Sequence, residues 1–387
     1  MASEPKPLPA RVKRLGWVSF ANDIAGEMLY PLLPAFLVSI GGGAASLGAL
    51  EGIADAVGAG VKWLTGARSD RLPRRKPLVV VGYTIAAFVR PLLSIASAPW
   101  HVVAVRTVDR IGNGIRTAPR DALLVEDVPA DRRGAAFAFH RMMDNLGAVA
   151  GPVMAFGLTE IGLSIRTIMA LAIVPGLLAV ATIAFGVKET ARDVTSKAAR
   201  AARSAKIPGA ARTYLFILGV FTLGASADSF LLFHLMKLGL ATVYLPLAWL
   251  TLSASKALTN MPGGRLSDRI GHRPTLVMAW LLYAAVYATL PFTKSVTIAW
   301  IIIVIYGAYY GLSEGGAKAV LADMIPPEAR GRGYGALNAV TGICILPANA
   351  MFGWLYGKNP HWAFWTGAGF AALAALLLAI DRARTKH

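Results

Sequence analysis

The chain has 387 residues, of which 56% are hydrophobic and 16% charged, against roughly 25% charged in an ordinary soluble domain, and its mean hydropathy is +0.55. Long apolar runs recur from Trp17 to Ile380, which describes a polytopic helical membrane protein and excludes a large catalytic domain outside the membrane. A formal charge of +18 would suggest nucleic acid in a soluble protein, but here the charge concentrates in short loops, so no nucleic-acid partner is expected.

Residues 1–15 form a polar, basic tail without a small-residue cleavage site, so the first span is expected to be retained. Twelve spans are predicted at 16–40, 45–67, 77–97, 100–125, 135–158, 165–187, 213–236, 241–264, 274–293, 297–324, 333–357 and 361–381. With the first tail inside, most Lys and Arg become cytoplasmic, in that tail, 68–76, 132–133, 188–212, 265–273, 330–332 and 382–386. The opposite side receives only Arg166, Lys237, Lys294 and Lys358. The fold expected is therefore all-α, with both termini cytoplasmic, in an inner membrane whose anionic lipid attracts the loops. Its parts are the tail 1–15, a six-helix bundle 16–187, a basic linker 188–212, a second bundle 213–381 and a tail 382–387. The linker reads as a solvated, partly helical tether. The single cysteine, Cys344, excludes an intramolecular disulfide and a thiolate cluster.

The halves repeat. Gly66, Asp70, Arg71, Arg74 and Arg75 follow span two; Gly264, Asp268, Arg269 and Arg273 follow span eight at matching spacing. Phe20 with Glu27 is echoed by Phe221 with Asp228, at the same separation in the first span of each half. Two-fold symmetry about the membrane normal would place Glu27 and Asp228 on opposite walls of one cavity. Glu27 has Asp23 one turn away. Asp228 has no acidic neighbour in its span, and is expected to stay ionised for a salt bridge or a substrate amine.

The duplicated loop pattern resembles the cytoplasmic signature of the major facilitator superfamily, and the resemblance covers about residues 16–381. Pro73 departs from it, where that family usually has glycine. The resemblance implies two pseudo-symmetric six-helix bundles rocking about a midplane site, with spans three, six, nine and twelve peripheral. Gly66 and Gly264 would let helices approach closely, and Asp70, Arg71, Asp268 and Arg269 would latch the halves on the cytoplasmic side. The segment from Arg106 to Gly114 resembles the span-four motif associated with proton transfer, departing at Asp109 and Arg110. Gly147, Gly151 and Pro152 resemble the span-five motif of antiporters, departing at Ala155 and Phe156, and favour export over import.

Charges within spans are costly in hydrocarbon and usually face a cavity or a partner. Asp23 and Glu27 lie on one helical face of span one, which offers no basic partner; two nearby carboxylates suit a proton carrier. With Asp109 they form the expected proton-coupling set, and Arg106 or Arg110 is the structural alternative as their partner. Substrate-binding candidates are Glu51, Asp55, Arg106, Arg110, Asn113, Arg116, Asp228, Tyr310, Glu314 and Lys318. Arg120 with Asp121 and Arg141 with Asp144, nearer the cytoplasm, read as gate pairs. The peripheral spans hold only Arg90 as a clear internal charge.

No Walker-type loop, no metal-ligand spacing among six histidines and no nucleophilic triad can be assembled, so neither cofactor nor metal is expected. The function expected is secondary transport of a small organic molecule, anionic or amphiphilic, by proton antiport, in a monomer. Proton-coupled import of an organic anion or metal chelate is the nearest rival. A membrane-embedded lipid-modifying enzyme using His140 and Asp144, or a receptor-like protein that binds without transport, are the readings from other classes.

Overall fold

The computed structural model describes residues 8–69, 73–129, 132–189, 208–313, 316–326 and 330–384, and all regular elements among them are helical. Span one runs as Ala10–Glu27, a 3-10 turn at Tyr30–Leu32, and Leu33–Ser39. Ala44–Ser69, Lys76–Val89 with Arg90–Ile95, Pro99–Val125, Arg133–Glu160, and Ile165–Leu171 with Ile173–Ala181 make spans two to six. Span seven is Gly209–Gly224 with Ser229–Lys237, span eight Leu245–Ile270 and span nine His272–Thr289. Val296–Ser313 with Gly316–Met324, Arg330–Lys358 and Pro360–Arg384 complete the twelve passes.

Eight passes are long and apolar enough to cross a membrane by length and composition. Spans one, four, five and eight fall short: span one is broken after Glu27, and all four carry polar and charged residues where the others are apolar. They pack inside the bundles, one against five, four against two and eight against ten, so their charges face protein and not lipid.

Prolines open several passes, where a missing N–H costs nothing, as at Pro77, Pro99, Pro246 and Pro360. Ser164 caps span six by accepting from the Thr167 amide at 3.2 Å. The first passes of both halves end in left-handed turns at Gly41 (φ 84°) and Gly239 (φ 103°), a conformation that only glycine adopts freely. Both passes are also broken midway, after Glu27 and before Ser229.

The expected linker is partly docked. Glu189 accepts the amides of Arg75 and Lys76 at 2.6 and 2.9 Å, capping span three, and span seven already begins at Gly209. Asp70, Arg71 and Glu314 lie outside the described residues.

At the end away from the termini, the halves close on each other. Gly48 of span two lies against the Asn349 backbone of span eleven, and a side chain at Gly48 or Gly353 would run into the facing main chain. Towards the terminus-bearing end the halves separate, and the space between them is the candidate site.

Candidate functional site

A 610 Å³ cavity lies between the halves, lined by six carboxylates and five arginines among its described residues. Its lining descends past Arg120 and Ala317 towards the ends of spans four and ten that share a side with both termini. The site therefore opens on that side.

One wall is an ion-pair lattice built on span four. Asp109 accepts from Arg90 Nε at 2.9 Å and Arg106 Nη1 at 3.1 Å, with its side chain only 4% exposed. Arg90 reaches further, donating to the Asn22 carbonyl at 2.9 Å and to Asn22 Oδ1 at 3.2 Å, which ties the third span to the first. Arg110 pairs with Asp55 at 2.9 Å, and Arg120 with Asp121 at 2.8 Å. Arg116 lies over the Tyr83 ring at 4.4 Å and donates to the Gly82 carbonyl. Stranding one member of a buried pair costs about 3–5 kcal/mol, so Arg90 and Asp109 hold each other in place.

The lattice leaves the carboxylates of span one to themselves. Among the described residues neither Asp23 nor Glu27 has a cation within ion-pair distance, so neither Arg106 nor Arg110 is their partner. Asp23 accepts from Asn22 Nδ2 at 2.9 Å. Glu27 accepts from Trp249 Nε1 at 2.6 Å, a hydrogen bond that crosses from the first half to the second. Glu51, 1% exposed, keeps Oε1 without a hydrogen-bond partner.

Span five explains how span one is set. A Cβ on Gly147 would lie 2.8 Å from Asp23 Cβ, and one on Gly151 would lie 2.8 Å from Glu27 Cβ. The two glycines thus seat the carboxylate turn directly against the neighbouring helix, while Pro152 is buried beside them. Packing is their visible role.

Asp228, at the break of span seven, stands in a different setting. Lys256 Nζ donates to its Oδ2 at 2.6 Å, Tyr306 donates to Oδ1 at 2.9 Å, and Tyr310 donates to both oxygens at 3.0 and 3.1 Å. Asn349 Oδ1 accepts the Ala227 amide at 2.9 Å and steadies the break.

Several expectations need correction. Asp109 is not an isolated carboxylate for protons; two arginines share it. Lys318 is exposed and outside the cavity lining, whereas Asn113, Arg116 and Tyr310 line it. Asp144 pairs with His140, four residues before it on the helix, at 3.3 Å and not with Arg141. That pair does not line the cavity between the halves. Gly264 faces open space and Gly66 meets only Ala118 at 3.8 Å; the close approach is made one residue earlier, by Gly263 against Gly311. Asp268 and Arg269 are exposed, and Asp268 shares the rim of a second, 430 Å³ cavity with Arg141 of the other half.

Sequence reasoning missed Trp249, Asn22 and Tyr30 in the lining. Arg90 had a signal, as the lone charge of an apolar span assigned to the periphery. Trp249 had none, because nothing local distinguishes a bridging tryptophan from a packing one.

Comparison with known proteins adds the lineage of the fold. The sequence profile of the Major Facilitator Superfamily matches residues 15–255 and 242–387. An uncharacterized MFS-type transporter of Methanocaldococcus jannaschii is 28% identical over 380 residues, covering 96% of this chain and 95% of that protein. The multidrug resistance protein MdtH of Cronobacter sakazakii is 30% identical over 128 residues, 33% of this chain and 32% of that protein. Among solved structures, the nucleoside transporter NupG superposes with a TM-score of 0.74 at 14% identity, covering 97% of this chain and 99% of that one. At that identity the likeness is one of fold.

Proposed function

Since the chain belongs to the major facilitator superfamily, whose members here are transporters and not enzymes, we propose that its cavity carries a small organic molecule outward in exchange for protons. The observation that supports this most is the pair Asp23 and Glu27, one turn apart on the cavity wall and outside every ion pair among the described residues. Carboxylates so placed can change charge without dismantling the arginine lattice. The positive loops favour a cytoplasmic position for the open end, in an inner membrane. Outward movement draws support from the local likeness to a multidrug resistance protein, and from the glycines packed behind the carboxylates.

Coupling follows from Glu27. Trp249 donates to an ionised Glu27 across the closed side of the cavity, and a charge-assisted bond is about twice as strong as a neutral one. Substrate bound in the cavity breaks that bridge to open the far side, where Glu27, freed from Trp249, takes up a proton as substrate leaves and carries it back inward. Loss of the proton towards the cytoplasm restores the bridge. Substrate and proton then compete through conformation, which is the requirement for exchange.

The test is flux in proteoliposomes with an imposed pH gradient and a trapped pH-sensitive dye. Substrate identified by thermal-shift screening should move against proton flow in the wild type. Transport of equal rate with and without the gradient would remove the proton from the mechanism.

A further inference from the structure

The environment of Asp228 has the composition of an ammonium receptor, and the protein has filled it with its own ammonium. Lys256 Nζ sits 2.6 Å from Asp228 Oδ2, 3.9 Å from the centre of the Tyr310 ring and 5.1 Å from that of Trp249. Tyr306 and Tyr310 aim their hydroxyls at the same carboxylate and hold its orientation. A carboxylate fixed by two phenols, with aromatic faces beside it, binds a cation by charge-assisted hydrogen bonds and by ring quadrupoles.

We propose that this box is a cation subsite for the transported molecule, and that a primary ammonium on the substrate displaces Lys256 from it. The proposal rests on reading the cavity as the transport site, and names the chemical class that the site takes: an ammonium on an apolar body. Three features carry it. Asp228, Trp249 and Tyr310 all line the cavity, so the box is reached from the open side. Lys256 is 20% exposed on a flexible four-carbon stem, so its head can leave the carboxylate without moving the backbone. Phe221 and Trp280, stacked with centroids 4.7 Å apart, also line the cavity and offer a wall for the apolar body.

Trp249 makes the subsite consequential. Its ring faces the Lys256 ammonium while its Nε1 donates to Glu27. Replacing the lysine by a substrate cation therefore changes what presses on the residue bridging the halves.

The experiment uses the full chain in detergent at fixed pH, with benzylammonium as the probe and calorimetric titration as the readout. A tethered competitor acts at an effective concentration of order millimolar, so removing it sharpens affinity. Lys256→Met should bind benzylammonium about tenfold or more tightly than the wild type. Adding Asp228→Asn to that variant should abolish the gain, and benzyl alcohol, the neutral analogue, should show none. Lys256→Gln keeps a donor towards Asp228, protects folding, and should show the same gain. Unchanged benzylammonium affinity in both lysine variants, or a gain that survives loss of Asp228, would overturn the proposal. No gradient is present, so this outcome is separate from the proton-exchange test: flux indifferent to pH beside an intact benzylammonium gain would sink only the coupling.

Discussion

Glu27 ends the helix before the break in the first pass of one half, Asp228 caps the helix after the break in the first pass of the other, and their surroundings are opposite. Asp228 is locked by a lysine and two tyrosines from its own half. Glu27 has one hydrogen bond from the described residues, and its donor, Trp249, belongs to the other half. Both carboxylates line one cavity; the neighbouring helices fix what each can do. A carboxylate held within its own bundle moves with that bundle, whereas one bonded across the gap senses whether the gap is closed.

The largest test of this contrast is stability. Asp228→Asn leaves Lys256 facing a neutral amide in a largely buried box, and should cost about 3–5 kcal/mol in thermal unfolding of purified protein. Glu27→Gln removes one hydrogen-bond acceptor at the cavity wall and should cost less than about 1.5 kcal/mol. Equal losses would erase the distinction between a locked and a sensing carboxylate.

Transport sharpens it from the other direction. Glu27→Gln or Asp23→Asn should remove the dependence of flux on the pH gradient, while Lys318→Gln, outside the cavity, should retain it. Gradient-dependent flux in both carboxylate variants would transfer coupling elsewhere, and buried Glu51 would be the next group to substitute.

Packing behind Glu27 gives an intermediate effect. Gly151→Ala drives a methyl group into Glu27 Cβ and the Met28 amide, and overpacking of this kind costs about 1–3 kcal/mol. Gly157→Ala, in the same helix with open space around it, should be neutral or slightly stabilising, since alanine is the better helix former. If the two alanines unfold alike, the close seat of span five on span one is not what positions Glu27.

The smallest effect belongs to the terminus-side rim. Asp268 and Arg141 come from different halves and share the second cavity, so closing the halves would bring them together. Asp268→Asn should shift spin-label distances between the terminus-side ends of spans four and ten slightly towards the open population. Superimposable distance distributions would leave Asp268 as an ordinary exposed loop charge.

The sequence alone determined the number of passes, the duplication and the class of protein. Apolar length and loop charge are local properties, and the repeated Gly, Asp and Arg spacing survives without any coordinates. It also picked out Asp23, Glu27 and Asp228, because an acid inside an apolar run must face something other than lipid. Only the tertiary structure decided the pairings. Arg106 and Arg110 stand on one stripe of one helix, yet one turned to Asp109 with Arg90 and the other to Asp55. Those choices depend on how far spans two and three stand from span four, which is set by glycine contacts such as Gly82 with Gly112 and Gly58 with Gly114. Trp249 shows the same limit: its bond to Glu27 joins residues of different halves, and exists only because the bundles close on that side. Partners distant in the chain are chosen by packing distances of a few ångströms, which no single-residue pattern encodes.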